Sequence, residues 1–403
     1  MGEWTEVRLG DVCKVINGRA YSQNELLNSG KYPVLRVGNF FSRNKWYYSD
    51  LTLDENKYCE CGDLLYAWSA SFGPKIWDGQ KVIYHYHIWK LDVSPHIDKY
   101  YLFYWLLTSS KSLTSGIHGS VMGHLTKSNM ENQIILLPNI VIQKKIASVL
   151  SSLDDKIKIN TRMNKVLEEI AQALFHRWFV EFEFPNADGK PYKSAGGKMV
   201  ESEMGSVPEG WKVQPVSKLL TINPKLSLKK GHSTTYINMA ALSINTCSIF
   251  DVVLKEFGGG GSKFQNGDVL LARITPCLEN GKTAIVDFLS EGEIGFGSTE
   301  FIVLRGEGVI GTSFVYCLAR NPNFRSHCIT SMVGSSGRQR VQNACFNDFL
   351  MARPPDEIFV KFNKVCGSMF DLITINSQSI KELGEARDIL LPRLMDGELK
   401  IEV

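Results

Sequence analysis

Three neighbouring side chains in the second half of the chain have the chemistry that reads the edges of nucleic-acid bases. Arg338, Gln339 and Arg340 follow Gly334 and Ser335. Arginine can form two hydrogen bonds with guanine, and glutamine can do the same with adenine. Glycine and serine leave the preceding backbone flexible. We therefore expect a DNA-binding loop that uses Ser335 together with these three side chains.

A second glycine-rich loop occupies the matching place in the first half. Residues 116–127 read GIHGSVMGHLTK and include Ser120, His124 and Lys127. Each loop precedes a short apolar stretch that leads into a long helical segment, so the two loops take equivalent positions. This equivalence favours a DNA-binding role over ordinary solvated surface for both loops.

Cations close to aromatic residues are further candidate DNA contacts. In YPVLRVGNFFSRNKW, residues 32–46, the candidates are Arg36, Asn39, Arg43 and Lys45. The cations suit phosphate oxygens, and the amide suits a base edge. In the second half, Arg273 and Lys282 flank a turn-forming stretch at residues 274–281. Solvated surface is the alternative for each of these residues taken alone.

The sequence lacks convincing motifs for a reaction on DNA. An adenine methyltransferase must hold a flipped base, and no Asn-Pro-Pro-Tyr type motif with a glycine-rich cofactor turn is found. Asp356, Glu357 and Lys361 resemble a magnesium-dependent nuclease centre. Because they lie where a helix begins, the two acids also favour the positive end of the helix dipole, and we prefer that interpretation. No catalytic residue and no cofactor are predicted.

Histidines and cysteines give no firm metal site. The alternation in VIYHYHIW, residues 82–89, predicts a strand with His85 and His87 on one face. A metal ion or a general base is one interpretation of this pair, and cross-strand packing beside tyrosines is the ordinary alternative. Cys59 and Cys61 have no second cysteine pair at zinc-site spacing. We predict no metal.

Composition sets broad limits. The 403 residues suit two domains plus two helices better than one core. The net charge of +3 describes a globular protein without an overall basic character, so any DNA-binding face must arise from uneven placement of charge. No apolar run of 18 residues and no signal-peptide pattern occur. Nine scattered cysteines fit reduced thiols, and we expect a cytoplasmic protein.

The elements that must position these side chains include one long helix that occurs twice. Between residues 146 and 178, inward positions alternate in steps of four and three, which is the spacing of a coiled-coil seam. The pattern recurs in phase between residues 362 and 394, and only Arg387 breaks it. A duplicated helix most simply pairs with its own copy in the same chain. Asn160 and Asn376 are expected to fix the register of the pair, with a solvated kink as the alternative.

The ends of both helices have more apolar surface than one partner helix can cover. We expect these side chains to dock helices of a partner protein or one of the globular parts of the chain itself. They are Leu174, Phe175, Trp178, Phe179, Leu390, Leu391 and Leu394.

The globular parts repeat as well. Residues 62–67, GDLLYA, match residues 267–272, GDVLLA, as a turn followed by an apolar strand. Each half also has one helical run before its loop, at residues 97–109 and 310–319. We therefore expect two mixed α/β modules with twisted sheets. The predicted boundaries are a first module at 1–141, a helix at 142–182, a connector at 183–206, a second module at 207–357 and a helix at 358–403.

With these features together, the chain resembles the specificity subunit of Type I restriction-modification systems. The resemblance rests on LDDKIKIN at 153–160, on the connector FPNADGKPYKSAGGKMVESEMGSVPEGW at 184–211, and on DILLPRLMDGEL at 388–399. It implies two target recognition domains separated by two antiparallel helices in an intramolecular coiled coil, with a pseudo-twofold repeat. It also implies double-stranded DNA, two modification subunits and, through the complex, restriction subunits as partners. It implies no membrane and no chemistry of its own.

The length of the helix predicts a spacing. Residues 146–178 span roughly 50 Å at about 1.5 Å per residue, which corresponds to at most about 15 base pairs. We expect a bipartite target with two unrelated half-sites and an unread spacer between them. Two alternatives stay open: a diverged methyltransferase-associated enzyme half, and a structural coiled-coil protein without a DNA target.

Overall fold

The computed structural model describes residues 4–41, 45–69, 71–115, 125–335 and 337–399. Its contacts form two compact units: unit 1 is Met1–Lys156 with Leu383–Val403, and unit 2 is Ile157–Glu382. Within the described ranges, no helix is long and apolar enough to cross a membrane. The helices are α1 (Leu9–Val12), α2 (Val37–Phe41), α3 (Lys99–Ser115), α4 (Lys127–Glu131), α5 (Ile140–Phe179), α6 (Thr312–Arg320), α7 (Pro322–Thr330) and α8 (Asp356–Met395).

Unit 1 contains two four-stranded sheets and one strand pair. Its strands are β1 (Thr5–Arg8), β2 (Cys13–Asn17), β3 (Tyr32–Leu35), β4 (Tyr47–Ser49), β5 (Tyr58–Cys59), β6 (Leu64–Ser69), β7 (Ser71–Ile76), β8 (Val82–Tyr84), β9 (Ile88–Val93) and β10 (Ile134–Leu137). The sheet orders are β2-β9-β6-β7 and β4-β3-β8-β5, and β1 pairs with β10. The pairing of β3 with β8 is parallel, whereas the other pairs are antiparallel.

Unit 2 repeats these two sheets and this strand pair and has one further two-stranded hairpin. Its strands are β11 (Met199–Ser202), β12 (Gly205–Pro208), β13 (Lys212–Pro215), β14 (Leu220–Ile222), β15 (Ser233–Ile237), β16 (Val253–Glu256), β17 (Ser262–Phe264), β18 (Val269–Ala272), β19 (Thr283–Ile285), β20 (Gly295–Gly297), β21 (Phe301–Gly306) and β22 (Leu350–Arg353). The orders are β14-β21-β18-β19 and β16-β15-β20-β17, and β13 pairs with β22. The expected mixed α/β fold with an internal repeat is confirmed.

The repeated Gly-Asp turns explain where the central strands β6 and β18 begin. Gly62 and Gly267 have φ values of +91° and +87°, which favour glycine. The Asp63 carboxylate accepts a hydrogen bond from the Glu60 backbone N–H at 2.8 Å and from Lys90 Nζ at 2.7 Å. In the second copy Asp268 accepts from the Gln265 backbone N–H and pairs with Arg305. Each turn is therefore tied to a cation on the neighbouring strand.

The predicted helical seam points inward along both long helices. In unit 1, Ile146 and Leu150 of α5 are buried in one core with Leu394 and Met395 of α8. Arg387, the residue that interrupts the seam, forms an ion pair with Asp154 at 2.8 Å. The Tyr104 hydroxyl donates to the other oxygen of that carboxylate at 2.7 Å. Arg387 thus places a charge in the apolar seam, and that charge is paired with a carboxylate.

In unit 2 the antiparallel pairing continues through a buried polar layer. Asn376 Nδ2 donates to Asn164 Oδ1 at 2.9 Å, and Asn164 Nδ2 donates to Ser377 Oγ at 3.1 Å. Asn160 Nδ2 donates to Ser379 Oγ at 3.3 Å. Asn160 and Asn376, which are expected to fix the register, therefore do not bond to each other. Asn160 bonds to Ser379, and Asn376 bonds to Asn164.

The predicted connector contains a structure that its turn-forming composition did not indicate. Strands β11 and β12 form a hairpin within it. Upstream, the Phe184 ring stacks on Tyr192 at 4.6 Å and on Trp211 at 5.0 Å between ring centroids. Phe184 and Trp211 belong to the main core of unit 2. These aromatic contacts anchor the segment to unit 2.

Candidate nucleic-acid interface

Four chain segments of unit 1, two from each four-stranded sheet, meet at one edge of the unit. The His85 N–H donates to the Leu35 carbonyl at 2.9 Å, and the Trp68 N–H donates to the His87 carbonyl at 3.1 Å. The Arg19 N–H donates to the Tyr84 carbonyl at 3.1 Å. The ends of β2, β3, β6 and β8 therefore converge around the turn at residues 85–87.

The expected single strand at residues 82–89 is wrong. Strand β8 ends at Tyr84, residues 85–87 turn, and β9 begins at Ile88. The reason is that β8 pairs with β3 in one sheet, whereas β9 pairs with β2 and β6 in the other. The chain changes sheet between the histidines, and the Ile88 N–H closes the turn on the His85 carbonyl at 2.9 Å. Alternation in sequence cannot reveal such a change.

The turn presents aromatic side chains that sequence reasoning did not select. The Trp68 indole N–H donates to the Tyr86 carbonyl at 2.8 Å. Its ring stacks on Trp89 at 5.5 Å and meets the His87 ring edge-on at 5.3 Å. Tyr86 is 39% exposed. The exposed Tyr86 ring and the half-buried Trp68 and His87 rings suit stacking or apolar contact with bases.

His85 lies deeper in the same cluster. Its ring is 4.8 Å from that of His87. Burial, followed by the charges of His87 and Arg36, lowers the pKa of His85 to about 4. The imidazole is therefore neutral at physiological pH, so it can act as a hydrogen-bond donor or acceptor and adds no positive charge.

The predicted contacts in residues 36–45 are partly brought together by one tyrosine. Arg36 lies over the Tyr47 ring at 5.3 Å, and Lys45 lies at 5.7 Å from the same ring centroid. Asn39 Nδ2 donates to the Lys45 carbonyl at 2.8 Å, so this amide helps to shape the loop. Arg43 lies outside the described residues.

The first glycine-rich loop is described only at its end. Ser120 and His124 lie outside the described residues. Lys127 is the first residue of α4 and forms an ion pair with Glu131 at 3.4 Å. Both side chains are substantially exposed, so this pair leaves Lys127 accessible to an anion.

Unit 2 builds the same edge with different side chains. The Arg273 N–H donates to the Glu300 carbonyl at 3.0 Å, and the Ser298 N–H donates to the Ile237 carbonyl at 3.1 Å. Residues 298–300 join β20 to β21, as residues 85–87 join β8 to β9. The backbone plan is repeated, but Ser298, Thr299 and Glu300 replace the His-Tyr-His turn.

The predicted arginine loop lies at this edge, and one of its arginines is already paired. Arg340 donates from Nε and Nη2 to the Glu300 carboxylate at 3.0 and 2.7 Å. Backbone bridges join Arg340 to Ile274 and to Val333. The Glu300 contact raises the pKa of Arg340 and fixes the direction of its guanidinium.

The other residues of this loop differ in accessibility. Arg338 is exposed, and its N–H donates to the Ser335 carbonyl at 3.0 Å. The Gln339 carbonyl accepts from the Thr275 N–H at 3.1 Å, and the residue is half-buried. Ser335 is exposed. Among the described residues no partner is bonded to the Arg338 side chain, whereas Glu300 holds Arg340.

Arg273 and Lys282 are both fixed by backbone carbonyls. Arg273 Nη2 donates to the Val341 carbonyl at 2.6 Å, and Lys282 Nζ donates to the Met239 carbonyl at 2.8 Å. Both residues are half-buried. They therefore retain positive charge near the edge but have less freedom than surface cations.

The apolar residues expected to bind a partner are mostly used inside the units. Phe175, Trp178 and Phe179 are 6% exposed or less. The Phe179 ring lies 4.9 Å from Phe314 and 5.1 Å from Phe362. Leu174 packs at the margin of this unit 2 core, and in unit 1 Leu394 is buried with Leu390 and Leu391 packed against its core. This burial favours the second of the two expected roles, contact with the recognition domains themselves.

Sequence reasoning missed a set of exposed apolar residues that both helices repeat. Val149 and Ile159 of α5 are 40% and 55% exposed, and their counterparts in the helical repeat, Val365 and Ile375 of α8, are 41% and 65% exposed. All four lie outside the seam positions. The sequence did contain a signal for these four residues. At two positions outside the seam, both copies of the helix have an apolar residue.

The alternative catalytic interpretations gain no geometric support. Asp356 lies in the first turn of α8, where its carboxylate accepts from Arg353. Cys59 is buried and Cys61 is exposed. Within the described ranges no group of three or more histidine, cysteine or acidic side chains could hold a metal ion.

Comparison with known proteins finds similarity to one kind of protein. Residues 1–169 match the model of the Type I restriction modification DNA specificity domain. The Type I restriction enzyme MjaIX specificity subunit of Methanocaldococcus jannaschii is 28% identical over 318 residues, 75% of this chain and 69% of that protein. The HindI specificity subunit of Haemophilus influenzae is 22% identical over 470 aligned positions, 99% of this chain and 100% of that protein. A crystal structure of the S subunit from M. genitalium shares the fold, with a TM-score of 0.62 at 13% identity over 98% of this chain and 96% of that chain.

Proposed function

The chain resembles the specificity subunits of Type I restriction-modification systems, and on that premise we propose that it selects the DNA sequence at which a modification complex acts. Each unit reads one half of a bipartite site at the sheet edge described above. The chain performs no reaction of its own and works in the cytoplasm. The observation that carries the proposal is the identical strand order of the two units with different side chains at the equivalent edge.

The different chemistry of the two edges supports two unrelated half-sites. Unit 1 offers Trp68, Tyr86 and His87, with Arg36 and Lys45 beside them. Such rings suit thymine methyl groups and base faces, and such cations suit phosphates. Unit 2 instead offers its arginines and a glutamine, which suit guanine and adenine edges in the major groove.

The paired helices supply the spacing and the docking surface. Helix α5 has 40 residues, so its length is roughly 60 Å at about 1.5 Å per residue. The repeated exposed residues, Val149 with Val365 and Ile159 with Ile375, give two similar apolar surfaces. Two copies of one modification subunit can therefore bind a single chain, and restriction subunits join through that complex.

DNA selection with the purified complex tests this function. The chain would be assembled with its modification subunits and incubated with a random duplex library, and bound fragments would be sequenced. We expect two short motifs at a fixed gap. Selection equal to that of modification subunits alone would contradict the proposal, and methyl transfer by this chain alone with S-adenosylmethionine would favour the enzyme alternative.

A further inference from the structure

An open cavity of about 390 Å³ lies in unit 2 beside the proposed DNA-reading edge. The turn that forms this edge contributes Thr299 to the cavity wall. Lys225, Lys263 and Arg273 supply three cationic side chains, and Ser262 supplies a second hydroxyl. None of the residues that line the cavity is an aspartate or a glutamate. The cavity therefore has the charge and hydrogen-bonding character of an anion site.

Two of the three cations are held in place by the protein. Lys263 Nζ donates to the Leu226 carbonyl at 3.0 Å and lies 5.2 Å from the Phe257 ring centroid. Arg273 Nη2 donates to the Val341 carbonyl at 2.6 Å. These contacts restrict both side chains before any ligand binds, which lowers the entropy that binding must overcome.

The cationic side chains of the cavity have more N–H donors than these contacts use. A guanidinium has five N–H donors, and an ammonium has three. Arg273 Nε is buried and has no hydrogen-bond partner among the described residues. Lys225 is exposed, and no described residue accepts a hydrogen bond or forms an ion pair with it. A tetrahedral oxyanion with several acceptor oxygens matches this set better than a single carbonyl does.

We propose that this cavity binds a phosphate of the DNA backbone next to the half-site read by unit 2. The inference rests on the proposed function and names a contact that fixes the register of the duplex on the edge. A phosphate contact carries no base preference, so it positions Arg338 and Arg340 against the bases without selecting them.

The internal repeat supports a phosphate role for this position. Strand β2 is followed by Gly18 and Arg19, and β14 is followed by Asn223, Pro224 and Lys225, so each copy places a cation shortly after the first strand of its first four-stranded sheet. In unit 1, Arg19 donates twice to Glu25, at 2.7 and 3.0 Å. Trp68 there takes the place of Arg273. The open cationic cavity is therefore a property of the second copy.

The salt dependence of DNA binding tests the site in the assembled complex. Lys225→Gln removes an exposed cation from the cavity, and Lys229→Gln removes an exposed cation of the same segment that does not line it. Each phosphate contact contributes about 0.9 to the slope of log K against log salt concentration. We expect Lys225→Gln to bind more weakly to every sequence and to reduce the slope by about 1, while Lys229→Gln keeps the slope of the original chain.

Duplexes with single neutral methylphosphonates identify the phosphate itself. We expect one substitution beside the unit 2 half-site to weaken the original complex strongly and the Lys225→Gln complex less, because Lys263 and Arg273 still contact the phosphate. Thr299→Val, which removes a hydroxyl without removing charge, should weaken binding and leave the slope unchanged. If every methylphosphonate position weakens DNA binding equally in the original and Lys225→Gln complexes, the inference is wrong.

Further outcomes separate this inference from the proposed function and from another phosphate source. A normal bipartite selection with an unchanged slope in Lys225→Gln would overturn the phosphate site alone. Loss of bipartite selection by the original complex would overturn the proposed function. A nucleoside monophosphate that binds the original chain but not Lys225→Gln, with equal DNA affinity for both, would show that the cavity takes a free phosphate instead.

Discussion

Arg340 is held by Glu300 before it meets any base. Two hydrogen bonds from Nε and Nη2 fix the plane of its guanidinium, and a preorganised side chain loses less entropy when it binds. Arg338 forms no such ion pair with any of the described acidic residues. The two arginines are therefore expected to contribute differently, with Arg340 more selective for one base.

Replacing Arg340 tests this directly. We expect Arg340→Gln to cost about 1–3 kcal/mol of DNA binding and to relax base preference at one position of the unit 2 half-site. Glu300→Gln keeps the size of the side chain but removes its charge, so it holds Arg340 more weakly. We expect it to cause a smaller loss of DNA binding and of base preference at the same position. The unit 1 half-site is the internal control, and motif selection from a random duplex library gives both results. An unchanged unit 2 half-site in both variants would contradict the assignment.

His85 predicts a dependence of stability on pH. Its folded-state pKa of about 4 lies below the ordinary histidine value of about 6.5. As pH falls between these values, the unfolded chain gains a proton that the folded chain does not accept. We expect the free energy of unfolding to decrease over about pH 6.5 to 4, and His85→Gln to reduce that decrease.

Denaturant unfolding across this pH range measures the effect. His232→Gln, at an exposed position of unit 2, is the matched control and should keep the original pH profile. The assignment of the buried neutral state to His85 fails if His85→Gln and His232→Gln give the same profile.

At the level of single residues, the sequence predicted types of side chain but not their partners. Arg340 was identifiable because arginine beside glutamine in a glycine-rich loop is a common DNA-reading combination. Glu300 was not identifiable, since its contact with Arg340 depends on how β20, β21 and the loop meet in three dimensions. Trp68 and Tyr86 were missed for the same reason, because their shared edge appears only when two sheets are assembled.

The helices show a clearer relation between sequence and structure. The steps of four and three predicted which residues point inward, and the seam from residue 146 onward is confirmed. The asparagine pairing was not predictable from the repeat alone. Because the helices are antiparallel, Asn376 lies opposite Asn164 and not opposite its repeat counterpart Asn160. Register roles for Asn160 and Asn376 stay a prediction.

Under the proposed function, we expect the exposed helical residues Ile159 and Ile375 to contact modification subunits. We expect Ile159→Lys and Ile375→Lys each to remove one of two bound modification subunits, because each places a charge within an apolar contact. The double variant should bind neither. Native mass spectrometry of the assembled complex measures the stoichiometry.

A matched control separates docking from general surface effects. Leu254 on β16 is 80% exposed, so Leu254→Lys introduces the same charge at another exposed apolar position. This variant should retain two modification subunits. Two bound subunits in the Ile159→Lys and Ile375→Lys double variant would contradict the docking surface.

For the whole molecule, the repeated order of module and helix was predictable from the sequence. Which core each helix end packs into was not. The end of α8 completes the core of unit 1, where Leu394 packs with residues more than 200 positions earlier in the chain. The sequence predicted that the two helices pair and that Leu394 docks on a partner or on the chain itself, but the repeat alone did not identify the core of unit 1 as its place. The domain boundaries drawn from sequence stay a prediction.

Helix length is expected to set the distance between half-sites. Duplicating residues 157–163 in α5 together with residues 377–383 in α8 lengthens both helices by one heptad. This adds about 10 Å, or about 3 base pairs of spacer. Motif selection should return the same two half-sites with the longer gap, and duplication in α5 alone should abolish selection because the seams no longer match. Altered half-sites with an unchanged gap would refute the role of the helices.

Genome-wide adenine methylation tests the central claim most directly. A host that expresses this chain with its modification subunit would be compared with a host that expresses the modification subunit alone. The account predicts a new methylated motif of two short parts separated by a fixed unread gap, present only with this chain. A continuous motif, or methylation that is the same in both hosts, would contradict it.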